Sequence, residues 1–284
     1  EIREGSRDNN GILVVAQGFT NHGLIELTSE GDAAPYNRAI LDISGVLVNA
    51  FDGTIRSADA SGLGGARNLF VTSFENRGLI ELSEPGLYLG QTGQSTNSGT
   101  IRVAADQLLI SGGGLTNTAT GVIDIAAGRT VTLNANNGGT FDDSAGTITG
   151  VGNLTLNNTT ARLDANVTLG GLTANSSTVY LAGDLSMANT ALSLSGVTLN
   201  GPGKLTNTAG STLHLIWDTL NVDVENNGQI VVEGERSYLN GNLTTGHGSA
   251  IEIREGSRDN NGILVVAQGV TNHGLVELTS EGGA

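Results

Sequence analysis

No cysteine occurs in the 284 residues, which excludes a disulfide framework, a thiolate metal site and a thiol nucleophile. The absence leaves the compartment open. It suits a protein that crosses a bacterial envelope unfolded, and it suits cytosolic proteins equally. Three prolines stand against a usual share of ~5%, and lysine is nearly missing: of 13 basic residues only Lys204 is a lysine. Aromatic residues make up 4% of the chain. A formal net charge of −15 lacks the clustered cations that phosphate backbones require, which argues against nucleic acid and against an anionic membrane surface. No run approaches ~18 apolar residues, so membrane insertion by this segment is not expected, and the first residues carry no signal-peptide pattern.

What is abundant is glycine, at 43 residues about twice the ordinary ~7% share, together with Asn, Thr, Leu and Ile. That mixture suits many short strands joined by tight turns. One stretch is present twice. Residues 1–33, EIREGSRDNNGILVVAQGFTNHGLIELTSEGDA, return at 252–284 with three changes, Phe19 to Val270, Ile25 to Val276 and Asp32 to Gly283. Near-identity at a spacing of 251 residues predicts one complete repeat unit over 1–251 and the start of the next over 252–284, a fragment of a longer tandem array. The run Ala250-Ile-Glu-Ile-Arg254 alternates as a strand should, so the repeat boundary is expected inside a strand.

A shorter motif recurs within the unit: an Asn, a short bend with Gly, then an apolar-polar-apolar strand. It places a turn ladder at Asn21, Gly23, Asn76, Gly78, Asn97, Gly99, Asn117, Asn207, Asn226, Gly228, Asn272 and Gly274. One inward position per motif predicts a core stack of Ile25, Ile55, Ile80, Ile101, Ile123, Ile148, Val179, Leu213, Ile230, Ile251 and Val276, with a mean step of about 25 residues. This is the coil period of an all-β, parallel β-solenoid of about 10–12 coils, right-handed by crossover preference. Asn is expected to bond the Asn one coil away and to hold a left-handed backbone, and Gly to supply positive φ. The wide steps between Ile148 and Leu213 leave room for an extra short coil in each. Residues 28–50 and 57–73 read as inserts, the first with a short helix around 37–42.

Runs such as Gly113-Gly-Leu-Thr-Asn-Thr-Ala-Thr-Gly-Val-Ile-Asp-Ile125 and Gly203-Lys-Leu-Thr-Asn-Thr-Ala-Gly-Ser-Thr-Leu-His-Leu215 resemble the repeats of filamentous-haemagglutinin-like and autotransporter-passenger adhesins of bacteria. The resemblance implies a secreted right-handed β-helix, extracellular at the bacterial cell surface, forming the shaft of a fibre. It carries no catalytic motif to this chain.

Chemistry-bearing residues are sparse. Asp142-Asp143 is the only pair of adjacent acids that lies beside an aromatic, Phe141, and a solvated turn is preferred there because neighbours on a strand point opposite ways. His22 and His273 are one position in two copies; His214 and His247 are the others, and none sits near a second ligand in sequence. Trp217 reads as a packing residue. No catalytic, cofactor-binding or metal residue is assigned, and no cofactor is expected. The expected function is a non-enzymatic spacer whose partners are identical units of the same chain end to end, with lateral self-association as a further possibility. A glycan- or protein-binding module is the alternative, and a β-helix polysaccharide-degrading enzyme the third reading.

Overall fold

The computed structural model describes residues 1–3, 10–28, 38–58, 65–83, 86–135, 138–164, 167–187, 191–255 and 261–279. The fold is all-β, with no helix among the described residues, and its parallel stacked strands form a β-solenoid of about 12 turns. The chain divides into two compact units, 1–155 and 156–284.

In the first unit each turn runs along three sides. One side carries Gly11–Val15, Leu87–Gln91, Gln107–Gly112 and Thr130–Asn134; the next carries Phe19–Asn21, Ser95–Asn97, Leu115–Asn117 and Thr140–Asp143. Ala39–Asn49 and Arg67–Asn76 are long enough to serve both of these sides in their coils, and their pairing is interrupted at Ile43/Val46, where the chain bends. The third side stacks Leu24–Thr28, Thr54–Ser57, Leu79–Leu82, Thr100–Val103, Val122–Ile125 and Thr147–Gly150. Parallel pairing normally needs a long crossover between partners, and here the other two sides of the coil are that crossover.

The third side shows how the sequence builds the core. Its strands alternate outward and inward, so Ile25, Ile55, Ile80, Ile101, Ile123 and Ile148 lie directly above one another. From Ile55 to Ile148 they are essentially excluded from solvent. β-branched side chains suit such a column because their single preferred rotamer repeats from coil to coil.

The second unit has the same three-sided turn with shorter coils. One column reads Leu172, Leu192, Leu213, Ile230, Ile251 and Val276. The single stack expected from sequence is therefore divided in three: Ile25 to Ile148 stand in a seven-stranded sheet, Leu213, Ile230, Ile251 and Val276 stand in a column of the 23-stranded sheet, and Val179 stands in another column, between Ala161 and Leu199. Val179 stands apart because Asn175-Ser-Ser-Thr178 imitates the Asn-Gly motif at a different corner of the turn. Leu172 and Leu192 are the members of the coils hidden in the wide steps.

Two further expectations change. Residue 37 lies outside the described residues, and the rest of the expected helix, from Ala39, opens the strand Ala39–Asn49. Of the supposed insert 57–73, residues 59–64 lie outside the described residues, while Arg67 onward is strand Arg67–Asn76 in parallel register with its neighbours. Alternation in Arg-Asn-Leu-Phe-Val made these residues strand formers despite the surrounding glycines.

The duplicated segment pairs the same way in both copies. Ile2 and Arg3 pair with Leu27 and Thr28, and Ile253 and Arg254 pair with Leu278 and Thr279.

The column on the third side gives a direct test. Ile101→Ala removes a side chain held between Ile80 and Ile123 and should lower stability by about 2–5 kcal/mol. Val14→Ala, at an exposed outward position, should stay within about 0.5 kcal/mol. Denaturant midpoints of the two variants check this.

Candidate functional site

The corner that follows the second side is the most ordered constellation of side chains in the first unit. Asn21 Nδ2 donates to Asn49 Oδ1 at 2.8 Å, Asn49 to Asn76 at 2.8 Å, Asn76 to Asn97 at 2.7 Å and Asn97 to Asn117 at 2.8 Å. Each amide also donates to a backbone carbonyl of the next coil, that of Thr54, Leu79, Thr100 or Val122. Every member is buried. Asn49 is hard to recognise in the sequence because Asp52, three residues on, mimics the motif position. The next member is Asp143, whose Oδ1 accepts from Asn117 at 2.6 Å and which is 1% exposed. The solvated turn expected at Asp142-Asp143 is therefore half wrong: Asp142 caps the bend through Ser144 N, while Asp143 is a buried ladder member.

In the second unit Asn207 Nδ2 donates to Asn226 Oδ1 at 2.7 Å, and Thr245 Oγ1 donates to Asn272 Oδ1 at 2.7 Å. None of the ladder asparagines is left-handed; among the described non-glycine residues only Asp106, Asn158, Ser176 and Trp217 have positive φ. Nor do the motif glycines supply positive φ. Most are needed for close approach: a Cβ on Gly78 would run into the carbonyl oxygens of Gly53 and Ala50, and one on Gly99 into that of Gly78, whereas one on Gly23 would meet nothing within 4 Å.

A different corner of the second unit holds a buried acid. Asp218 is fully buried; its Oδ1 accepts from Val197 N at 2.8 Å and its Oδ2 from Ile216 N at 2.7 Å. Burial pushes its carboxyl up to about 7, against the two backbone donors that favour the charged form. The residue before it, Trp217, has φ of 63° where the equivalent bends use Ser176 at 48° and Gly196 at 65°. It is 56% exposed, not a core residue, and its indole lies over Gly234 of the next coil.

Outward positions form columns as regular as the inward ones. On the third side of the first unit Glu26, Arg56, Glu81, Arg102 and Asp124 alternate in sign, with N–O distances of 3.5 to 3.6 Å between consecutive members. In the second unit Asn200, Asn221 and Asn240 make an exposed amide ladder at 2.7 Å per step. Elsewhere on the surface Arg3 pairs with Glu1 at 3.4 Å and Glu233 pairs with Arg254.

The first side of the first unit has an open groove of about 450 Å³ where Phe70 meets Tyr88 edge-on at 5.7 Å between ring centres, with Asp42 on the adjoining coil. Gly90 makes room for it, since a Cβ there would stand 2.7 Å from the Phe70 ring. Arg67 turns inward nearby and is fully buried, Nη1 donating to Gly65 O at 2.6 Å. Neither the groove nor the buried guanidinium was legible, because both depend on which residues share a column. The histidines do find neighbours: His22 Nδ1 lies 3.0 Å from Asp52 Oδ1, and the His247 and His273 rings lie 5.4 Å apart. Among the described residues no group of three or more His, Asp or Glu is placed to hold a metal.

Comparison with protein-family models, with curated proteins and with solved structures yields no match.

Replacing Asn97 by Ala takes one of two acceptors from the amide of Asn76, which keeps the Thr100 carbonyl, and removes the donor to the buried side-chain oxygen of Asn117; it should cost about 1–3 kcal/mol. Asn221→Ala, in the exposed ladder, should cost less than about 1 kcal/mol. Chemical denaturation of both variants compares the two ladders.

Asp218 predicts a pH dependence. Its unfolded value is near 3.8 and its folded value about 7, so folding takes up a proton between them. The contribution is full below about pH 4 and is lost as pH rises through about 7. At fixed ionic strength the melting temperature should fall between pH 5 and pH 8, and Asp218→Asn should flatten that difference. Parallel profiles for the two proteins would show that another group is responsible.

Proposed function

We propose that this chain is a structural spacer, a repeat of a bacterial cell-surface fibre that holds a distal region away from the cell. The supporting observation is the identical pairing of the two copies across 251 residues, Ile2 with Leu27 and Ile253 with Leu278. A repeat boundary that falls inside a paired strand lets one unit pass into the next without a linker. Stability in such an array comes from neighbouring coils, so copy number changes reach without new chemistry. The resemblance of the Asn-Gly repeats to secreted adhesins supports the extracellular placement.

A second reading, in which the unit itself binds a glycan or a protein, is favoured by one observation. The Phe70–Tyr88 groove offers two aromatic faces beside the carboxylate of Asp42, a combination that suits apolar sugar faces and hydroxyl groups.

Immunogold electron microscopy of the source cells, with an antibody to this unit, separates the two. Label repeating along filaments at a fixed interval is the expected outcome. Label confined to filament tips overturns the spacer role and directs attention to the groove.

A further inference from the structure

His247 and His273 lie 26 residues apart in sequence and on adjacent coils in space, and both are exposed. Their ring centres are 5.4 Å apart and their planes are inclined by 44°. Two imidazoles bound to one ion at metal–nitrogen distances of ~2.0–2.1 Å and a near-tetrahedral angle have ring centres about 5 Å apart. The observed ring-centre spacing of 5.4 Å is close to that distance.

His273 is also held in place. Its backbone N–H and that of Gly274 donate to Thr245 Oγ1 at 2.8 and 3.2 Å, and its Nδ1 lies 3.3 Å from the Thr245 carbonyl oxygen. A carbonyl only accepts, so Nδ1 is the donor in this contact and Nε2 is left as the nitrogen able to ligate. Donation of one ring N–H to a backbone carbonyl is the arrangement that fixes the tautomer and orientation of metal-bound histidines. His247 lines an open concavity of about 550 Å³ with Ser211, Asn227 and Gln229, so water can reach an ion there.

We propose that His247 and His273 chelate one divalent transition-metal ion of the class that imidazole prefers, Zn²⁺, Ni²⁺ or Cu²⁺. The two side chains supply two ligands and water fills the remaining positions. The metal would tie two successive coils together at a corner where the buried Asn ladder has given way to Thr245. This inference stands on side chains within the chain and does not depend on the spacer reading.

The duplication supplies an internal control. His22 occupies the same place as His273 in a segment of 30 identities in 33, but its ring faces Asp52 and no second imidazole. Isothermal titration of the full chain with ZnCl₂, repeated with NiCl₂, should show one saturable equivalent. His247→Ala and His273→Ala should each abolish it, and His22→Ala should leave it intact. Circular dichroism melts in metal-free buffer establish that each variant is folded. His273→Gln, which keeps a polar side chain at the site, serves in place of the alanine variant if that one does not fold. Absence of saturable binding by the parent protein overturns the proposal. So does binding that survives loss of His273, or binding that is lost with His22.

Discussion

Every coil of this molecule is the template for the next, so the structure depends on register: a side chain must be able to stand on a copy of itself. Few groups can. An amide can, because it has both a donor and an acceptor, so Asn21 through Asn117 bond upward without limit. A carboxylate only accepts, and Asp143 takes an amide's place in the ladder as the acceptor for Asn117. Charges stack only by alternating, as Glu26, Arg56, Glu81, Arg102 and Asp124 do. A backbone carbonyl can sit beneath the next coil only where that coil has no Cβ, as at Gly53, Gly78, Gly99 and Gly121.

That rule also accounts for what could be read in the chain and what could not. The solenoid, the Ile25 to Ile148 column and most of the Asn ladder are local patterns repeated at a coil period, and repetition makes them visible. Columns are harder. Val179 looked like a member of the first stack because Asn175-Ser-Ser-Thr178 has the residue types of the ladder motif but not its corner. The roles of the bend residues were misassigned for a related reason. Asn and Gly at a turn suggest left-handed backbone, yet the need here is for amide pairing and for close approach between chains, neither of which one coil reveals. Phe70 over Gly90, and His247 beside His273, are contacts between coils whose residues have no sequence relation to each other.

Irregular places stand out against such regularity. Most bends in the second unit are made with small or amide residues, and the one that uses Trp217 keeps its large indole in a backbone region that disfavours it. The same bend encloses Asp218, whose carboxylate receives two backbone N–H groups that hydroxyls serve elsewhere, such as Ser177 for Thr159 and Ser237 for Asp218 itself. A buried acid and a strained aromatic in one turn cost stability that a serine and a glycine would spare.

The hydrogen bonds between coils lie along the direction in which coils succeed one another. Tension applied in that direction loads all three sides of a coil together, and a coil that gives way releases about 20 residues of chain at once. Each such release would lengthen the chain by roughly 60–70 Å, the span of 20 extended residues less the rise they had occupied. Because each coil is stabilised by the one beside it, loss of one uncovers the next, and such a release would proceed coil by coil.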